Sequence, residues 1–189
     1  MANFVNGKGE TKYFNKDEVG MKRSITIDGV TWKRMPKPKV LSRAARLGEQ
    51  TNLYYQIVEK YESVIGAIEE MDLTVETFTP EQLEQVKSLL EGLDTDIDVG
   101  EIECLKDEIE NWKSGMEGTN LENSNKYSEL EECFGYLESA VSELESLSFD
   151  SEINEETDPE ELKDRLQEFV DTLQASIDEL ENVQFPGMY

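Results

Sequence analysis

Asp94, Asp96 and Asp98 place carboxylates at alternate positions just ahead of Gly100, which is how a calcium-binding loop begins. Such a loop needs glycine at its sixth place and a bidentate glutamate at its twelfth, and those places hold Val99 and Leu105. Asp98 reads better as a helix N-cap, with Glu101 three residues on completing a capping box. The two cysteines, Cys104 and Cys133, are far apart in sequence, each beside an apolar residue, and no electropositive neighbour activates either thiol. They make no disulfide framework, which points to a reduced, intracellular protein. The chain contains no histidine, so it can build no Ser-His or Cys-His relay and no His-ligated zinc or iron site. Carboxylate-pair and magnesium chemistry have no motif here. The sequence reads as non-enzymatic and without a cofactor.

What the chain has in abundance is carboxylate, with a formal net charge of -25. No basic residue occurs between Lys126 and Lys163. Within and just beyond the helical pattern that follows Lys126, Glu129, Glu132, Glu138, Glu143 and Glu145 are candidate partner contacts. The connector after them adds Asp150, Glu152, Glu155, Glu156, Asp158, Glu160 and Glu161, and is the segment expected to meet a cationic partner first. A charge run often means only a solvated face. The sharper reading is imitation of a nucleic-acid backbone: DNA carries one charge per ~1.7 Å of axis, so a ~39 Å stretch displays roughly 23 charges. The expected partner is then a protein with a cationic or DNA-binding surface.

Charge is divided along the chain. Residues 1–47 hold eleven Lys or Arg against four Asp or Glu, and the remainder holds seven against thirty-nine. The basic N-terminal arm, taken as residues 1–39, offers a second set of candidate contacts: Trp32, Lys33, Arg34, Lys37 and Lys39. Pro36 and Pro38 favour an extended strut that splays those cations outward. No aromatic residue is interleaved between Lys33 and Lys39 to stack on bases, which weakens a nucleic-acid role for this strip. The acidic body repels phosphate, so nucleic acid is expected as a partner only through the arm. A basic arm on an acidic body also permits homo-oligomers in which the arm of one copy lies on the body of the next.

Low hydrophobicity with high net charge is a signature of disorder, but the apolar residues recur at helical spacing. Residues 1–23 show little pattern beyond a short strand near Lys12–Phe14, and read as a loosely ordered leader. Ser24–Lys33 is a hairpin around Asp28-Gly29, with Ile27 opposite Val30, Ile25 opposite Trp32 and Thr26 opposite Thr31. A lone hairpin needs something to dock on, either the helices or a partner. A first helix from Val40 to about Met71 carries Tyr54, Ile57, Tyr61, Val64, Ile68 and Met71 as its stripe, with Gly48 able to bend it. Thr79-Pro80-Glu81-Gln82 opens a second, burying Leu83, Val86, Leu90 and Leu93. The third buries Ile102, Leu105, Ile109, Trp112 and Met116. A fourth over about Asn123–Leu147 turns Leu130, Phe134, Leu137, Val141 and Leu144 inward, and a fifth from Pro159 to about Val183 buries Leu162, Leu166, Phe169, Leu173, Ile177 and Leu180. Tyr136–Phe149 echoes Thr172–Phe185 without gaps, so the last two helices follow one packing rule. The fold class is mainly α: an elongated antiparallel bundle of about five helices, residues 40–189, behind a β-hairpin arm.

Glu108–Asn123, Lys126–Glu132 and the terminal Phe185-Pro186-Gly187-Met188 together resemble acidic helical proteins encoded by tailed bacteriophages. The resemblance covers mainly the third to fifth helices and carries no assigned chemistry. It implies a phage protein acting in the host cytoplasm or in the virion. With the acidic surface, it leads to an expected role as a protein-binding inhibitor, directed against a host restriction or DNA-processing complex as counter-defence. A structural or assembly protein that oligomerises through the basic arm is the alternative. There is no run of eighteen apolar residues and no apolar N-terminal leader, so neither a membrane partner nor secretion is expected.

Overall fold

A computed structural model describes residues 2–8, 10–14, 22–35, 41–71 and 77–187. The chain forms two compact units, residues 1–41 and residues 42–189.

The first unit is a four-stranded antiparallel sheet: β1 (Ala2–Asn6), β2 (Thr11–Phe14), β3 (Ser24–Ile27) and β4 (Val30–Arg34), in the order β2-β1-β4-β3. The β3–β4 hairpin has the expected register, and Asp28 and Gly29 take φ of 50° and 77°, the two positive values that a type I′ turn requires. In the leader the strand expected near Lys12–Phe14 is present as β2, but the rest departs from expectation. Instead of a loose segment it supplies β1, which pairs with β2 on one side and β4 on the other. The hairpin therefore docks on a strand of its own unit. Asn6 fixes the β1–β2 turn: its side-chain carbonyl accepts the N–H groups of Lys8 and Glu10, and its amide donates to the Glu10 carboxylate. A short turn of polar residues gives little sign in sequence of the strand that precedes it.

The second unit contains the helices α1 (Arg43–Glu69), α2 (Pro80–Leu90), α3 (Gly100–Ser114), α4 (Asn125–Ser146) and α5 (Pro159–Glu181). Ser42, Thr79, Ser124 and Asp158 each accept a backbone N–H at a helix start, and Thr79 with Gln82 makes the full capping box. α1 packs against α5, α3 and α2, while α4 packs against α3 and α5. Gly48 does not interrupt α1. Val40, expected as the start of that helix, lies outside the described residues.

The core follows the expected stripes, except that Ile57, Met71, Leu93, Trp112 and Phe134 are only partly buried and pack against its margin. Val58 rather than Ile57 is buried in α1, and Cys133 and Ala140 rather than Phe134 are buried in α4. Small side chains at those places let neighbouring helices approach, and Phe134 is left at the margin under the Lys113 ammonium. At the centre, the Tyr61 ring stacks on Phe169 at 4.2 Å between centroids, and Phe149 meets both rings edge-on.

Two connectors meet across this core. Asp96 and Ser148 form an isolated antiparallel bridge, and the Phe149 N–H donates to the Thr95 carbonyl. The Asp98 capping box does not form. Asp98 accepts the Gly100 N–H, but α3 begins one residue later than expected, and Glu101 is drawn to Arg46 on α1.

Candidate functional site

The sheet's alternation separates the candidate cations of β4. Trp32 and Arg34 lie on one face with Phe4 and Phe14, and Lys33 lies on the other. Phe14 meets both Phe4 and Trp32 edge-on, at 5.3 and 6.4 Å. Lys12 sits over the Phe14 and Trp32 rings and Arg34 over Phe4, so these cations are engaged on aromatic faces. Lys12 and Phe14 are absent from the expected contact set because only the strand pairing brings them to Trp32. Lys37 and Lys39 lie outside the described residues.

In the helical unit, the would-be calcium carboxylates turn to separate tasks. The Asp94 carboxylate pairs with Lys60 at 2.7 Å, and its carbonyl accepts the Tyr61 hydroxyl at 2.9 Å. The Asp98 carbonyl accepts both the Tyr54 hydroxyl, at 2.8 Å, and the Gln50 amide. Burial pushes the Tyr54 phenol up to about 12 and raises that of Tyr61 as well. Among the described residues no group of three Asp, Glu or Cys is placed to hold a metal ion. Cys104 is exposed and Cys133 is buried, both as free thiols, and burial raises the Cys133 thiol to about 11.

The cations of this unit are largely taken up in holding the fold together. Arg43 and Arg46 reach from α1 to α3, where both pair with Glu108 and Arg46 also pairs with Glu101. Hydrogen bonds from Arg46 and Arg43 hold the Glu108 carboxyl below its ordinary range. Arg43 and Lys126 also flank the Trp112 ring. Lys163 pairs with Glu69 and Glu160, and Arg165 covers Phe149 while donating to the Asp150 carbonyl. Few cations remain to offset the other carboxylates.

The expected acidic residues are nearly all exposed, but they do not share one face. At about 100° per residue, Glu129, Glu132 and Glu143 fall on one flank of the α4 buried stripe, and Glu138 and Glu145 on the other. Glu143 is half-buried and accepts the Ser176 hydroxyl from α5 at 3.0 Å, a role in helix packing. Nor is the connector unrestrained. Buried Phe149 and Pro159 anchor its ends, Asp150 and Asn154 accept the N–H groups of Glu152 and Glu156, and the Thr157 hydroxyl accepts that of Asn154. Glu152, Glu155 and Glu156 are left exposed on this fixed path, Asp158 caps α5, and Glu160 and Glu161 occupy its first turn.

The face on which carboxylates do converge lies further along α5. Glu161, Asp164, Glu168, Asp171 and Asp178 are all exposed and lie opposite Leu162, Leu166, Leu173 and Leu180 on the helix. Beyond Glu161 these residues were not among the expected contacts, although their three- and four-residue spacing places them on that face as surely as the leucines define the core. No helix among the described residues is long and apolar enough to cross a membrane. No family model, no curated protein and no solved structure matches this chain.

Proposed function

We propose that the helical unit is a non-catalytic protein-binding module whose carboxylates stand in for DNA phosphates on the cationic surface of a DNA-handling protein. The observation that carries this is the outer face of α5. From Glu160 to Glu181 the helix rises ~32 Å at ~1.5 Å per residue and holds eight acidic residues, of which Glu161, Asp164, Glu168, Asp171 and Asp178 lie on that face, against Lys163 and Arg165. One strand of duplex DNA carries about nine phosphates over the same ~32 Å, at ~3.4 Å each. Fixed carboxylates on a packed helix also meet a cationic cleft without the ordering cost of a flexible acidic tail. The ring of contacts α1–α5–α4–α3–α1 supports an elongated antiparallel bundle as the scaffold. Together with the resemblance to phage proteins, this gives an inhibitor acting on a restriction or DNA-processing complex in the host cytoplasm.

The test is capture of partners from bacterial lysate on immobilised protein, followed by elution with duplex DNA or with salt. The expected result is a DNA-binding protein released by competing duplex and by raising salt from about 50 to about 200 mM. Capture that ignores both would overturn the reading.

A second reading rests on the division of charge between the units. Residues 1–41 carry nine basic against four acidic residues, and residues 42–189 carry nine against thirty-nine. An assembly protein could join copies through that complementarity. Its mass on sizing would then fall when residues 1–41 are removed.

A further inference from the structure

Two cavities of about 530 and 560 Å³ lie end to end between α2 and the α4–α5 connector, sharing Lys87 and Asn154. Pro80 and half-buried Ile153 contribute apolar walls, while Leu83 and Leu90 are core residues that reach the lining only at their edges. Glu84 and Glu91 stand on the α2 side, and Asp150, Glu152, Glu155 and Glu156 on the connector side. Among the described residues Lys87 is the sole cation lining either cavity, and its ion pair is a loose one, 3.7 Å to Glu84 within its own helix. The connector's turns hold the acidic edge in place, so the groove does not have to be ordered by whatever enters it.

We propose that this groove binds a basic segment of a partner protein in which cationic side chains alternate with apolar ones. The inference rests on the reading of the helical unit as a protein-binding module, and adds the place and the kind of chain recognised. Charge complementarity selects the occupant: six rim carboxylates face one weakly held lysine, so an acidic or phosphate-bearing chain is repelled. The walls select further, because cations alone make no use of Pro80 and Ile153. Length fits as well. The eleven residues of α2 rise ~16 Å, which about five residues of extended chain span at ~3.3 Å each. In such a segment alternate side chains point to opposite sides, so apolar groups face the wall while cations reach the rims.

The experiment uses the full chain and two short fluorescein-labelled peptides, one alternating lysine with leucine and one alternating lysine with serine, read by anisotropy. Expected is that the leucine peptide binds more tightly than the serine peptide. The double variant E155Q/E156Q should weaken the leucine peptide by about tenfold, and Lys87→Gln should tighten it several-fold by removing a competing cation. The double variant D107N/E110Q, which removes as much charge from the exposed side of α3, should leave binding unchanged. Circular dichroism confirms that each variant folds, and all the substituted side chains lie at the surface. Equal losses in the two double variants, or equal binding of the two peptides, would overturn the groove while leaving the acidic-surface reading intact, since a diffuse field treats all faces alike. If neither peptide binds, both fall.

Discussion

The helical unit uses the same side chains in two opposite ways. Where α1 meets α3, Glu101 and Glu108 are drawn against Arg43 and Arg46, and Asp94 is held by Lys60. Along the outer face of α5, Glu161, Asp164, Glu168 and Asp171 succeed one another at three- and four-residue spacing and face solvent. Composition does not separate the two sets, since both are carboxylates on amphipathic helices. What separates them is whether a neighbouring helix supplies a cation. The first set stabilises the fold, whereas the second has, among the described residues, no cation from a neighbouring helix to set against its self-repulsion.

The largest expected effect tests whether the clamped end stands on a packed core. Tyr61 is fully buried, stacks on Phe169 and donates to the Asp94 carbonyl. Tyr61→Ala should cost about 3–5 kcal/mol in urea unfolding. Tyr61→Phe keeps the ring and loses the hydroxyl, so it should cost only about 1 kcal/mol. Similar losses for both would mean that the connector bond, not the aromatic packing, holds this end.

The clamp itself comes next. Arg46→Met removes both of its ion pairs and leaves Glu101 and Glu108 facing each other across a shared position. These side chains are partly exposed, so screening limits the loss to about 1 kcal/mol. The pH dependence has a fixed sign. Glu108 has its folded pKa lowered by Arg46 and Arg43, so its contribution is complete above the unfolded carboxylate value. It is then lost as pH falls from that value through the lower folded one. Unfolding midpoints measured from neutral pH into this window should show a smaller acid-induced loss in the Arg46→Met variant than in the wild type.

The two thiols sharpen the contrast between an outer and an inner helix position without altering stability. Cys104 is exposed on α3, while Cys133 is buried on α4 with its thiol raised to about 11. A chromogenic disulfide reagent at neutral pH should modify Cys104 promptly and Cys133 only after denaturant is added. Prompt reaction of both would place α4 in a looser position than the core implies.

How much of this is legible in sequence differs between local and distant causes. Thr79 with Gln82, Asp158 with Pro159, and Asp28-Gly29 act on residues two or three positions away, and each does in the structure what its spacing implies. The five stripes are likewise local and place most of the core. The failures depend on partners far along the chain. β1 exists because Phe4 and Val5 find β2 and β4, and Glu101 leaves its cap because Arg46 lies 55 residues upstream. The connector is pinned because Thr95 and Arg165 reach Ser148–Asp150 from both sides. For the acidic surface, exposure was legible but convergence was not. Of the expected acids, those on α4 straddle the core stripe, whereas α5 gathers its own on one side through residues that a search for unbroken charge runs passes over.

The smallest effect has the most diagnostic sign. Glu168 has Asp164 four residues before it and Asp171 three residues after it on the same exposed face, and like charges at those spacings destabilise a helix by a few tenths of a kcal/mol each. Glu168→Gln should therefore raise stability by about 0.5 kcal/mol at low salt. Glu108→Gln, the same chemical change on α3, should lower it by about 1 kcal/mol by weakening two arginine contacts. Added salt should shrink both differences, because screening weakens the repulsion on one helix and the attraction on the other. If both substitutions destabilised, the α5 carboxylates would be structural like those of the clamp, and their exposure would need no partner to explain it. Opposite signs would show that the helix retains a charge it would be more stable without, as the proposed binding surface requires.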